Sequence, residues 1–143
     1  MNLLFIYLIN QYKNMQNTFI GNIEKLTLEN ENFRKVLFTS NHSQLVVMNI
    51  AVGDDIGSEV HELDQFIRIE KGEAKAVLDG VETDIKDDWA IVIPAGVEHN
   101  IINTGDTPLK LYSVYSPPEH KDQTIHKNKE VAKEEHFDGV TSL

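Results

Sequence analysis

At 143 residues, 41% hydrophobic and 25% charged, the chain has the size and composition of one globular domain with a core of its own. Its 13 basic and 23 acidic residues give a net charge of −10, which argues against nucleic-acid or anionic-membrane partners, since both call for a basic face. There is no cysteine, so disulfides, thiolate metal sites and cysteine nucleophiles are excluded, and any metal must be held by imidazole, carboxylate or amide groups.

Residues 1–17 read as an N-terminal extension, disordered or packed at an edge. The apolar run from Leu3 to Ile9 is far shorter than the roughly 18–20 residues that span a bilayer. It lacks the basic n-region and small-residue cleavage pattern of a signal peptide, so a cytoplasmic protein is expected, with Met15 as an alternative start.

Residues 18–118 read as the folded domain. Residues 18–25 show only a weak pattern. The segments 33–40 and 44–52 are rich in β-branched and aromatic residues and predict strands, with Asn41-His42 as the turn between them. Beyond a loop at 53–57, short strand-like runs follow at 59–61, 65–70, 74–78, 81–85, 89–93, 99–103 and 109–115. Turn residues separate them: Lys71-Gly72, the two-residue hairpin signal Asp79-Gly80, Asp87-Asp88, Pro94-Ala95-Gly96, and Asn103 to Asp106. Strands at this spacing predict an all-β sandwich or barrel. Residues 119–143 form a tail that begins after Pro117-Pro118, with one short helix possible over 128–136 and a solvated charged face at Lys129, Glu130, Lys133 and Glu134.

Two polar runs stand out, 59–65 and 94–99. Alternate residues of a strand share a face, so Glu59, His61 and Gln65 can converge inward, with Ile67 and Ile69 continuing the same row as apolar lining. His99 shares its parity with Ile101 and Asn103. Glu59, His61 and His99 make a two-histidine, one-carboxylate set with Gln65 as a fourth ligand, which leaves open positions for water, O₂ or a chelating substrate. Fe, Mn, Ni, Co and Zn suit such a set about equally. Other roles stay open. His61 and His99 could be satisfied histidines at a rim. Gln65 could hydrogen-bond a ligand rather than be one, and Glu59 could be a general base beside the ion or a solvent-facing rim residue.

The first run resembles the first cupin motif, G(X)5HXH(X)3–4E(X)6G, as Gly53-x5-Glu59-x-His61-x3-Gln65-x6-Gly72. The second resembles the partner motif, G(X)5PXG(X)2H(X)3N, as Asp88-x5-Pro94-x-Gly96-x2-His99-x3-Asn103. Fifteen residues separate Gly72 from Asp88, at the short end of what the family allows. Together the motifs cover about 50 residues. The resemblance implies a double-stranded β-helix, or jelly-roll barrel, with one divalent metal ion at its mouth. Three positions depart from the pattern: Glu59 replaces the first His, Gln65 the Glu, and Asp88 a Gly, which needs only a different turn. The carboxylate has thus moved from position 65 to position 59. Around Asp64 to Arg68 and in the tail from Tyr115 to Lys127, the chain looks like small single-domain bacterial cupins called mannose-6-phosphate-isomerase-like, a name that rests on shared motifs.

The function this implies is a metal-dependent isomerase, dioxygenase or decarboxylase acting on a small oxygenated substrate such as a sugar or organic acid. A non-catalytic small-molecule binding or sensing module is the alternative, and a homodimer is expected because barrel strands in this superfamily commonly pair across a two-fold axis. Arg68, of opposite parity to Gln65, should point away from the cavity into a salt bridge or dimer contact. Tyr112 and Tyr115 have opposite parities, so at most one lines the pocket. His42 reads as a turn residue, Asn103 as a tie within its turn, Trp89 as core or interface, and His120 and His126 as surface groups of the tail that could reach back over the barrel mouth.

Overall fold

The computed structural model describes residues 18–133 and 135–143; the expectations for residues 1–17 and for Glu134 lie outside them. Among the described residues nine strands form two antiparallel sheets. The strands are β1 (Arg34–Thr39), β2 (Gln44–Ile50), β3 (Asp64–Lys71), β4 (Glu73–Leu78), β5 (Val81–Lys86), β6 (Ala90–Ile93), β7 (His99–Asn103), β8 (Leu109–Ser116) and β9 (Ile125–His126). The larger sheet runs β6-β3-β8-β2-β1-β9 and the smaller β5-β4-β7. This is the all-β architecture expected from the strand spacing, and the jelly roll that the cupin resemblance implies.

Alternation along the strands builds the core. Met48 and Ile50 of β2, Ile67 and Ile69 of β3, Ile91 and Ile93 of β6, and Leu109 and Leu111 of β8 are buried together with Ala74, Ala76, Ile85 and Ile101 of the smaller sheet. Burying each large aliphatic side chain contributes on the order of 1.5–3 kcal/mol. The opposite parity carries polar groups. Arg68 points outward and pairs with Glu70 at 2.7 Å and Asp88 at 3.0 Å, as its parity predicts.

The turns follow the local chemistry. Asp79 and Gly80 have φ of 48° and 81°, the left-handed pair that a two-residue hairpin needs. Asp88 keeps the left-handed conformation of the glycine it replaces, with φ of 73°, instead of taking a different turn. Aspartate tolerates that region better than most residues, and Oδ1 of Asp88 also accepts from Arg68. Gly72 has φ of 116°, and a Cβ there would lie 3.1 Å from Leu109 Cδ1 and 3.3 Å from Leu109 Cα. Gly72→Ala is therefore expected to cost about 1–3 kcal/mol in denaturant unfolding, since it adds backbone strain and a contact with main chain that has little room to move.

Three expectations are corrected. The weak stretch before β1 holds the helix α1 (Ile23–Glu29), capped by the Asn22 side chain, which accepts from Lys25 N at 3.1 Å. Ile23 and Leu26 are three apart, but the alternation of apolar and polar residues over 26–28 masks so short a helical period. The tail, by contrast, has no helix among its described residues: 128–133 is a turn, closed by Val131 N donating to Asn128 Oδ1 and Ala132 N to the Lys129 carbonyl. Nor is Lys129 simply solvated, because it pairs with Asp54 at 3.2 Å and with Asp55.

Candidate metal centre

The segment leading to β3 runs beside β7, so that Glu59 and His99 face each other as an antiparallel pair. Each donates its backbone N–H to the other's carbonyl at 2.9 Å. Only Glu59 pairs in this way, and the strand expected over 59–61 reduces to that single bridge. The turn at Pro94 to Gly96 ties the two halves together. Gly96 N donates to the His61 carbonyl at 2.8 Å, and Ala95 N donates to Asp64 Oδ1 at 3.0 Å. Asn103 closes the far end of β7, its amide donating to the Ile50 and Thr107 carbonyls and its oxygen accepting from Gly105 N, the tie its position predicts.

These backbone ties bring Glu59, His61 and His99 together, with one potential ligand atom from each inside a 4.8 Å span. Glu59 Oε2 lies 3.0 Å from His61 Nε2 and 4.0 Å from His99 Nε2. The His99 ring orientation follows from its other nitrogen. Nδ1 sits 2.9 Å from the Val97 carbonyl, which can only accept, so Nδ1 carries the proton and Nε2 of the neutral ring carries the lone pair. That Nε2 is buried and has no hydrogen-bond partner among the described residues.

Gln65 is 2% exposed, and its amide nitrogen donates to Ser113 Oγ at 3.2 Å. Its Oε1 is likewise buried without a partner among the described residues. A buried acceptor left unmade costs roughly 1–3 kcal/mol. The unpartnered His99 Nε2, grouped with a carboxylate and a second imidazole, fits a cation; these groups, and an amide oxygen such as that of Gln65, are of the kind that binds Fe, Mn, Ni, Co or Zn, and all can bind in their unprotonated forms.

The electrostatics agree. The hydrogen bond that Glu59 accepts from His61 is the main influence that raises the His61 pKa above its ordinary value; the charges of Glu119 and Glu59 add to it, and burial opposes it. Glu119 Oε1 lies 3.6 Å from His61 Nδ1 and 3.0 Å from His136 Nδ1. Tyr115 is buried, with its ring edge-on to His61 at 6.1 Å and to His120 at 5.1 Å between centroids, and burial raises its phenol pKa. Tyr112 has the other parity and stacks with Phe66, so one tyrosine lies beside the site, as expected.

The centre opens into a cleft of about 230 Å³ whose wall includes Arg34, His61, Glu119, His120 and His136. Reading the sequence strand by strand missed Arg34 and Glu119 and placed His120 at the surface. His120 is instead 9% exposed, and its backbone N–H donates to Gln44 Oε1 at 2.9 Å. A usable signal was present for Arg34: it shares its parity on β1 with the buried Val36. His42 is an exposed turn residue, as expected, and Trp89 precedes β6 and is 45% exposed, so it is not core.

A jelly roll with an imidazole and carboxylate centre at its mouth defines a class of protein, and the comparisons agree with it. The cupin domain family matches residues 46–115. The uncharacterized protein YrkC of Bacillus subtilis is 45% identical over 118 residues, an alignment that covers 78% of this chain but only 63% of YrkC. The uncharacterized protein L612 of Acanthamoeba polyphaga mimivirus is 45% identical over 113 residues, covering 75% of this chain and 70% of L612. The crystal structure of BH2720 from Bacillus halodurans is similar with a TM-score of 0.75 and 46% identity, over 76% of this chain and 88% of that one. The chain belongs to the cupin family. Among its described residues no helix is long and apolar enough to cross a membrane.

Proposed function

We propose that this cupin holds one divalent metal ion through Glu59, His61, His99 and the amide oxygen of Gln65, and that it acts as an enzyme on a small oxygenated molecule bound in the adjoining cleft. The observation that carries this reading is the group of Glu59, His61 and His99, whose ligand atoms lie within 4.8 Å of one another while the buried His99 Nε2 has no hydrogen-bond partner among the described residues; Gln65 Oε1 is a second buried acceptor without one. When bound, such an ion supplies Lewis acidity toward the carbonyl, hydroxyl or carboxylate oxygens of a substrate.

The residues divide the remaining work. Glu59 belongs to the ligand set rather than to proton transfer, because Oε2 lies within 4.0 Å of both Nε2 atoms. Val97 holds the His99 ring in the ligating tautomer through its carbonyl. Glu119 lies on the Nδ1 side of His61 and its charge favours a proton there, while Nε2 faces Glu59 and would give up its proton on binding an ion. Tyr115 stays a neutral, apolar wall. Isomerisation, oxygenation and decarboxylation of a sugar or organic acid all begin from chelation of this kind.

Elemental analysis of gently purified protein tests the reading: about one ion per chain is expected, retained through gel filtration and restored to stripped protein by adding metal. Protein that carries no metal and takes none up would refute it. If metal-loaded protein binds organic acids or sugars but converts none of them, the site belongs to a binding or sensing module instead.

A further inference from the structure

We propose that Arg34 and His120 form an oxyanion subsite on the wall of this cleft, and that the molecule bound there carries a carboxylate. The inference rests on the cleft being the ligand site proposed above, and it adds the chemical class of the ligand.

Arg34 is 7% exposed. Its Nη1 donates to His126 Nδ1 at 3.3 Å and its guanidinium carbon lies 5.2 Å from the Phe33 ring centre. Nε is buried with no partner, and no carboxylate pairs with Arg34 among the described residues. Removing a cation from water without an anion to replace the lost hydration is strongly unfavourable. The contrast with Arg68 is direct, since that arginine, on the outer face, has two carboxylates. The chain satisfies its outward guanidinium and leaves the inward one without an anion.

His120 lines the same cleft. Its Nε2 is also buried without a partner among the described residues. Burial, and then the charge of Arg34, hold its ring neutral. A neutral imidazole can donate one hydrogen bond to an anion without adding charge. With Nη1 committed to His126, the free edge of the guanidinium is Nε and Nη2, a planar fork that matches the two oxygens of a carboxylate.

Three acidic groups line this cleft, and one of them, Glu135, is exposed. Glu59 faces His61, and Glu119 faces both His61 and His136. Their presence favours a singly charged carboxylate over a doubly charged phosphate at this wall. A cleft of about 230 Å³ holds on the order of eight non-hydrogen atoms at liquid density, the size of a hydroxy acid or small dicarboxylate.

The test measures binding to the full chain by titration calorimetry, with metal content determined on every sample. The probes are malate and malonate, with malonamide as the uncharged analogue and inorganic phosphate as the competing anion. Malate or malonate should bind and malonamide should not. Arg34→Gln should weaken the carboxylate at least about tenfold with metal content unchanged, the loss expected for a charge-assisted fork, and Arg34→Lys should recover part of it. Should Arg34→Gln not fold, His120→Gln carries the same test, with a several-fold loss expected. Unchanged carboxylate affinity in the variant, binding of phosphate alone, or no binding of either carboxylate by the wild type would overturn the proposal. Protein that carries no metal, takes none up and still binds carboxylate through Arg34 would uphold the subsite and refute the metal reading. Metal-loaded protein whose carboxylate affinity ignores Arg34 would do the reverse.

Discussion

His99→Ala is expected to abolish stoichiometric metal binding, with His61→Ala close behind. His99 is the most constrained member of the set. Its backbone is locked opposite Glu59 by two hydrogen bonds of 2.9 Å, its Nδ1 proton is committed to Val97, and its Nε2 lone pair has no protein partner among the described residues. Alteration of a partner that merely orients a ligand commonly costs 10- to 100-fold in metal affinity, so removal of the ligand itself should cost more. Thermal unfolding gives a second readout. An ion present at about a hundred times its dissociation constant stabilises the native state by about 2.7 kcal/mol, so wild-type protein should melt higher with metal than with chelator. His99→Ala should melt at the same temperature in both. His42→Ala, at the exposed turn, should behave like the wild type. A metal-dependent rise in melting temperature that survives His99→Ala would mean that the ion sits elsewhere.

Acidification of the metal-free protein below about pH 6.5 is expected to destabilise it through His120, and His120→Gln should remove that component. Burial is the chief reason that the folded-state pKa of His120 falls to about 2, with the charges of Arg34 and His61 adding to it. The unfolded chain therefore binds a proton at this ring below its ordinary pKa while the folded chain does not. Stability is fully present above the unfolded pKa and declines as pH falls toward the folded one. Each pH unit in that window costs about 1.4 kcal/mol, or roughly 2 kcal/mol between pH 6.5 and 5. His126, also lowered by burial and by Arg34, adds a component of the same sign. His61 has the opposite sign: its folded pKa is raised, so its contribution is present at low pH and lost as pH rises through that value. The informative quantity is thus the difference between wild type and His120→Gln in denaturant unfolding at pH 7 and pH 5. Equal slopes in the two proteins would show that His120 is protonated in the folded state.

The sequence was most informative where the physics is local. Period-two alternation identified the inner rows Gln65, Ile67 and Ile69, all 2% exposed or less, and put Arg68 outside. The turn chemistry of Asp79-Gly80 placed a hairpin and that of Pro94 to Gly96 a turn where they occur, and the fixed spacing from Glu59 through His61 to His99 brought three ligand residues into one 4.8 Å group. Those features depend on residues a few positions apart and on one register, so a linear reading reaches them. Even there, α1 escaped because seven residues are too few to show a helical period against strand-like alternation.

The other wall of the cleft was decided only by the tertiary fold. Glu119 and His120 come from a segment that turns back after β8, and Arg34 comes from β1; 84 residues of chain separate Arg34 from Glu119. Nothing local in the tail distinguishes a buried histidine from a surface one. His120 becomes buried because Gln44, on β2, accepts its N–H and takes its carbonyl as an acceptor through Nε2 at 2.7 Å, while Tyr115 covers its ring. The metal group is therefore written in the spacing of the two motifs. Its ligand environment is set by long-range packing, which depends on which sheet edge the tail reaches and not on the order of its residues.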